Sequence, residues 1–336
     1  MYRQIVEAIR SGRSPLLLTG VGGDRIGKIA LIDGDRRFGD EALLRFAGQI
    51  DGKLPRVEQD ILVERISAPP ELILLGGGHV SVQTAKVAKL CGFRVTVVDD
   101  RPEFANAARF PEADRIWNRP FADAIDAIDA QSAWYVIVTR GHRDDRACLE
   151  RILRRPFAYC GMIGSRTKVG LVFEHLLQNG FSQEQLARVH APIGLSIGAV
   201  TPEEIAVSIV GELISVRNGG GAVVAWDEAL CAGILSADVP YAMVTLISKT
   251  GSAPRGTGAR MLVCGDGTIL SSIGGGYGEY EAAQYALSML QSGPDAKRYV
   301  CSMTNEDAAK AGMVCGGTVE VLIQIVREDS EWKTSS

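Results

Sequence analysis

The chain has 336 residues, 46% of them hydrophobic and 23% charged, which is enough for two or three domains with real cores. A net charge of -4 excludes a general nucleic-acid-binding surface, which needs a basic footprint to displace counterions. The opening MYRQIVEAIRSGRS is charged where an export signal is apolar, and no apolar run is long enough to span a bilayer. A cytoplasmic protein with no membrane contact is therefore expected. Its seven cysteines are expected to be reduced. They are scattered, with no C-x-x-C pair or zinc spacing, so no metal site is predicted.

In chain order, residues 1–69 read helix (Gln4 to Ile9), strand (Pro15 to Gly20), strand (Lys28 to Leu31), an Asp33-Gly34-Asp35 turn, and helix (Glu41 to Ala47). Pro69-Pro70 marks a boundary. Residues 70–217 alternate strands (Glu71 to Leu75, Phe93 to Val98, Ala133 to Thr139, Ala158 to Ile163) with helices, the α/β pattern of a parallel sheet covered on both faces. The last helix starts with Thr201 as N-cap, Pro202 in its first position and Glu204 closing a capping box. The stretch after Arg217, Asn218-Gly219-Gly220-Gly221, reads as a linker. Residues 222–328 read as an α+β domain. It has a helix at Asp227 to Leu235, strands at Tyr241 to Ser248 and Arg260 to Cys264, a helix at Glu279 to Leu290 and a closing strand at Thr318 to Val326. GKIALIDGDRRFGD in the first region parallels GARMLVCGDGTILSSIGG in the third, and the elements fall in the same order. The first region is accordingly expected to be a shortened, degenerate copy of the third.

The fold class is thus α/β: a Rossmann-like parallel sheet domain, an α+β glycine-rich domain and an N-terminal segment resembling a copy of the latter. In LILLGGGHVS, the segment from Gly76 to Gly78 and His79 lies between a strand and a helix, where a dinucleotide's pyrophosphate meets free backbone N–H groups. Asp99, at the end of the next strand, stands where an acidic residue accepts a ribose hydroxyl. Ser81 takes the place of the third fingerprint glycine. Ser165 and Arg166 open a helix after the fourth strand. They form either an anion cradle with Lys168 or simply a helix cap beside a solvated arginine. His142 is either a structural hydrogen-bonder or a proton donor.

The third region has three glycine-rich loops. The first, from Lys249 to Gly258, offers Arg255 to a phosphate or a pterin carbonyl. Gly274, Gly275 and Gly276 make the second. There Glu279 and Glu281 would compete with an anion at the helix start, so a polar, hydrogen-bonding ligand edge is expected. The third, GMVCGG, sets Cys315 before Gly316 and Gly317. Cys315 is either a reactive thiol, with its pKa lowered by glycine N–H groups, or a small core residue.

Several of these segments together resemble the XdhC/CoxI family. LLGGGHVS, VTVVDDRPEFANAARFPEAD, VTRGHRDD, CGMIGSRTK and PIGLSIGAVTPEEIAVSIVGELI are similar to its Rossmann part. GSAPRGTGARMLV, SSIGGGYGEYEA and GMVCGGTVEVLI are similar to its glycine-rich domain. The resemblance spans about Pro70 to Val326. It implies a maturation factor and chaperone for xanthine dehydrogenase or aldehyde oxidoreductase type enzymes, rather than an enzyme in its own right. Such a protein would bind the molybdenum cofactor, as molybdopterin or its cytosine dinucleotide form, support its sulfuration with a cysteine desulfurase, and deliver it to a molybdenum hydroxylase apo-enzyme. The resemblance also implies a homodimer. It carries Gly274, Gly275, Gly276 and Cys315 over as cofactor contacts, with Cys315 in the chemical role, and Arg255 beside them. The family order places the glycine-rich domain first, whereas its full copy here comes last. Ser81 and Ser196 replace an expected glycine and aspartate. The competing reading from the residues alone is an NAD(P)-dependent oxidoreductase using the Rossmann crevice.

Overall fold

A computed structural model describes residues 1–48, 50, 54–128, 133–219, 223–250, 255–302 and 318–327. The chain forms two compact units. Residues 69–220 make one, and residues 1–68 together with 221–336 make the other. The first and third regions, read separately from the sequence, thus belong to a single body.

The N-terminal half of that body runs α1 (Tyr2–Arg10), β1 (Leu16–Gly20), β2 (Ile29–Asp33), β3 (Arg36–Gly39), α2 (Glu41–Ala47), β4 (Arg56–Glu58) and β5 (Ile61–Ser67). Asp40 caps α2, accepting from the backbone N–H groups of Ala42 and Leu43.

The 69–220 unit then runs β6 (Glu71–Leu75), α3 (His79–Leu90), β7 (Arg94–Asp99), β8 (Arg115–Asn118), α4 (Phe121–Ala127), β9 (Trp134–Ile137), α5 (His142–Leu153), β10 (Tyr159–Met162), α6 (Arg166–Gln178), α7 (Gln183–Ala187), β11 (Val189–His190) and α8 (Pro202–Gly219). Its six strands are all parallel, in the order β11-β10-β9-β6-β7-β8. This is the doubly wound dinucleotide-fold order, with the switch point between β6 and β9. Both faces are covered, which explains why the strands read as unbroken apolar runs. Ile73 and Leu75 face the core under α4, α5 and α6, while Leu72 and Leu74 face the core under α3 and α8. The expected capping box of α8 forms, with Glu204 accepting from Val200 and Thr201 N–H and donating its own N–H to Thr201 Oγ1.

The chain returns to the first body as β12 (Val223–Ala225), α9 (Glu228–Ser236), β13 (Tyr241–Thr250), β14 (Arg260–Cys264), β15 (Ile269–Ser271), α10 (Gly276–Ser292), β16 (Ala296–Ser302) and β17 (Thr318–Val326). The N-terminal sheet is ordered β4-β5-β1-β2-β3, with β12 also joined to β5. The C-terminal sheet is ordered β16-β17-β13-β14-β15. Element for element the two halves have the same connectivity, and every corresponding strand pair is antiparallel. The ladders also match in register. Leu17 pairs with Leu31 and Glu64, and Met243 pairs with Leu262 and Gln324. The two halves share one topology and one register.

Each sheet buries its outer face under its own helix, Leu18 and Val63 under α2 and Val244 and Ile323 under α10. The inner faces meet in a shared core with α1 and α9, where Leu17, Ile66, Met243 and Leu262 lie against Ile5, Trp226 and Ile234. Strands β3, β4, β5, β8, β11, β12, β15 and β16 were not visible in the sequence pattern. Most are short or lie at an edge. The exception, β5, is a central strand whose ILVERIS carries a buried glutamate that no alternation rule anticipates.

Candidate functional site

Three connections leave the C-terminal sheet at the same edge. Thr245 pairs with Arg260, so the end of β13 and the start of β14 lie together there. Met261 pairs with Ser271, which brings the end of β15 to that edge. Ser302 and Thr250 both pair with Thr318, so β16 ends and β17 begins at the same place. The Arg255 loop, the triple-glycine turn and the connector holding Cys315 therefore all start and finish on one edge. Cys315, Gly316 and Gly317 themselves lie outside the described residues, as do residues 251–254 of the first loop. Arg255 is exposed.

At the corresponding edge of the N-terminal half, two of the three connections are minimal, and the third, β1–β2, spans residues 21–28 with Gly22, Gly23, Gly27 and Arg25. The β4–β5 connection is only Gln59-Asp60, both at positive φ. The β1–β2 connection closes on itself through Gly27 N–H to Gly20 O at 2.9 Å. A single residue, Asp40, stands between β3 and α2. The two halves share the scaffold but differ in the β3–α2 and β4–β5 connections, which are long only in the C-terminal half.

In the triple-glycine turn, Ser271 has φ 62°, Gly274 139° and Gly275 and Gly276 75° each, left-handed values that favour glycine. A side chain on Gly275 or Gly276 would point into open space. Glu279 folds back from the first turn of α10 and accepts from Ser272 Oγ at 2.6 Å, Ile273 N at 2.8 Å and Gly275 N at 3.1 Å. Burial alone would raise its pKa, but these donors outweigh it and hold the carboxyl below the usual range. The backbone donors that an anion would use are thus taken by the chain's own carboxylate, as the acidic first turn led one to expect.

The other predicted residues lie on the 69–220 unit, at the carboxyl ends of its strands. Gly76 has φ 118°, and a Cβ there would collide with the Val138 carbonyl. Ser81, buried where a third glycine was expected, is accommodated by donating its hydroxyl to Gly76 O at 2.5 Å. Gly78 caps α3, and His79, its first residue, is exposed. Asp99 is fully buried. Its carboxylate accepts from Gly77 N at 2.8 Å and from Arg101 through Nε at 2.8 Å and Nη2 at 2.9 Å. Burial raises its pKa, but Arg101 and the Gly77 N–H overcome that and hold it low. Phe104 O stands where a Cβ on Gly77 would go, Arg109 donates to Gly77 O at 3.1 Å, and Arg101 stacks on the Phe104 ring. The segment after β7 thus lies over the glycine loop. A ribose could reach Asp99 only by breaking the Arg101 pair, so the expectation of a free acidic acceptor is corrected.

Ser165 caps α6, accepting from Lys168 N at 3.2 Å, and Arg166 is exposed. Lys168 is not a free cation, because its ammonium pairs with the fully buried Asp145, which also accepts from Thr139 Oγ1 at 2.7 Å. The Ser165 hydroxyl is engaged as the helix cap. The Arg101, Arg109 and Lys168 partnerships were missed because they join residues with no periodic or motif signal; only the run Asp99-Asp100-Arg101 hinted at one. Burial pushes the thiols of Cys160 and Cys301 up to about 12 and that of Cys231 up to about 11. Among the described residues no group of three or more His, Cys, Asp or Glu is placed to hold a metal, and no helix is long and apolar enough to cross a membrane.

Residues 72–213 match the XdhC Rossmann domain, and residues 234–300 match the XdhC and CoxI family. The chain belongs to the XdhC/CoxI family. It is 37% identical over 150 residues to an uncharacterised protein of Escherichia coli K12, YqeB, covering 44% of this chain and 28% of that protein. It is 33% identical over 172 residues to a probable xanthine dehydrogenase subunit of Bacillus subtilis 168, covering 49% of each. The matches thus span half or less of the length of these relatives. A crystal structure described as a xanthine dehydrogenase from Bacillus halodurans superimposes with a TM-score of 0.54 at 26% identity, over 65% of this chain and 63% of that one.

Proposed function

We propose that this XdhC/CoxI protein is a maturation factor for a xanthine dehydrogenase or aldehyde oxidoreductase type enzyme. It binds the molybdenum cofactor, as molybdopterin or its cytosine dinucleotide, supports its sulfuration with a cysteine desulfurase, and delivers it to the apo-enzyme. The observation that carries this reading is the gathering of three glycine-rich connections at one edge of one half. In the N-terminal half the counterparts of two of them are only Asp40 and Gln59-Asp60. The names of the Bacillus relatives add a link to xanthine dehydrogenase.

The residues present suit the cofactor in kind. The turn at Gly275 and Gly276 has open space for a polar ring edge, Arg255 offers an exposed guanidinium fork, and Cys315 lies in a connector that begins and ends at the same edge. When bound, the cofactor supplies a molybdenum centre whose oxo ligand is exchanged for sulfur. The chain's own part is to hold the pterin, shield the centre and present a thiol. Glu279 fills the backbone donors at the turn, which favours a hydrogen-bonding ring over a bare phosphate there. Work in the cytoplasm and pairing with a second copy of the chain belong to the same proposal.

The test is to purify the protein from a molybdenum-replete host and measure bound molybdenum and pterin, wild type beside Cys315→Ala. Stoichiometric cofactor in the wild type and a marked drop in the variant are expected. No cofactor in either, under conditions that load a client hydroxylase, would overturn the reading. The NAD(P)-dependent alternative draws on the strand order of the 69–220 unit, but its ribose acceptor is spent on Arg101. Titration with NADH is expected to give no saturable binding.

A further inference from the structure

The shared inner face of the duplicated body holds two reciprocal contacts. Gln324, on the last strand of the C-terminal half, donates to Gly27 O at 3.0 Å and accepts from Tyr2 Oη at 3.0 Å. Gly27 ends the β1–β2 connection of the other half. Glu64, which stands in β5 where Gln324 stands in β17, reaches the opposite way. Its carboxylate receives both terminal nitrogens of Arg260, one of them at 3.0 Å, and that same nitrogen donates to Gly258 O at 3.0 Å. Gly258 ends the Arg255 loop, and it is the counterpart of Gly27. Its φ of 92° and the Glu64 oxygen beside it leave no room for a side chain.

The two contacts differ in one respect. In the N-terminal half, at the end of the 21–28 connection, a neutral amide holds the glycine, and Ile29 occupies the position of Arg260. Where the loop carries Arg255, a carboxylate and a guanidinium do the work, both essentially sealed from solvent at 0% and 1% exposure. A buried ion pair is a poor route to stability, since desolvation offsets most of its attraction. The neutral contact across the same face holds the equivalent glycine carbonyl without an ion pair. A forked guanidinium does provide what an amide does not, namely a fixed geometry that ties two carboxylate oxygens and a loop carbonyl to one plane.

We infer that the N-terminal half is retained as a strut for the ligand loop of the other half, with Glu64 as the positioning residue that acts through Arg260 on Gly258 and so sets the path of the segment bearing Arg255. The inference rests on the proposed function for the loop's purpose, but not for its mechanics.

The decisive variant is Glu64→Gln with Arg260→Ile, which copies the Gln324 and Ile29 arrangement already present across the face. Three quantities are compared with wild type in the full chain: the melting temperature, amide hydrogen exchange in the peptide containing residues 255–258, and bound molybdenum and pterin. The expected result is a melting temperature near wild type, exchange at 255–258 faster by about ten-fold or more, and less bound cofactor. Wild-type exchange at 255–258 in this variant overturns the strut. Glu64→Asp covers the case in which the double variant does not fold. It keeps the charges paired and only shortens the reach, so exchange should again rise in that peptide and not elsewhere, and unchanged exchange again overturns the proposal. If the wild type binds no cofactor, the functional reading fails while the exchange comparison still decides the strut.

Discussion

Glu279 and Asp99 show one carboxylate chemistry used at two glycine loops. Each accepts backbone N–H groups that a ligand anion would otherwise take, and each is held below its ordinary pKa against the opposing effect of burial, Asp99 by Arg101 and then the Gly77 N–H, Glu279 by the Ser272 hydroxyl and then the N–H groups of the turn. A carboxyl whose folded pKa is depressed stabilises the fold above its unfolded value and loses that contribution as pH falls through the folded value. For Glu279 the unfolded reference is 4.5. The stability gap between wild type and Glu279→Gln is therefore expected to be full at neutral pH and to close as the pH is lowered below about 4.5, followed as melting temperature against pH. Ser165 gives a simpler test. Its hydroxyl caps α6, so Ser165→Ala should cost about 1 kcal/mol in denaturant unfolding. A much larger loss, or a loss of cofactor without a loss of stability, would restore the anion-cradle reading.

Among elements, the helices other than the short α7 and the apolar parallel strands were legible because their periodicity is set by local burial. The limits of α2 read from the sequence coincide with the structure, Glu41–Ala47. Strand β5 was not legible. Glu64 and Arg65 break its pattern, and Glu64 is tolerated in a buried position only because Arg260, 196 residues later, neutralises it. The same reasoning predicts what the inner face withstands. Met243→Ala, which empties a fully buried position between β14 and β17, should destabilise by about 2–5 kcal/mol, read from the denaturation midpoint. Its counterpart Leu17→Ala should fall in the same range, because the register places both against the same shared core.

At the scale of the whole molecule, the chain leaves one body after Ala68, builds the parallel-sheet unit, and returns at residue 221 to finish the first body. The returning half depends on the departed one for the face of its sheet. A specific protease site inserted after Gly220, once cleaved, should therefore leave the pieces co-eluting in native gel filtration and separating only in denaturant. Separation under native conditions would mean that the inner core of Leu17, Ile66, Met243 and Leu262 does not hold the halves together. Only the C-terminal half has all three long connections, so one cofactor per chain is expected on loading, not two.

The Rossmann unit, the doubled element order and the family were legible from residue order, because strand burial on both faces, turn glycines and motif spacing are all written locally. Residue order also placed Arg255, Gly274 and Cys315 on separate glycine-rich loops. That those loops share one edge was decided only by the β13–β17 ladder, since antiparallel pairing joins the end of one strand to the start of another far away in sequence. Tertiary structure alone likewise decided that Asp99 is spent on Arg101 and that Glu64 faces Arg260. A buried charge is stable only beside its partner, and nothing in the local pattern around either residue names that partner.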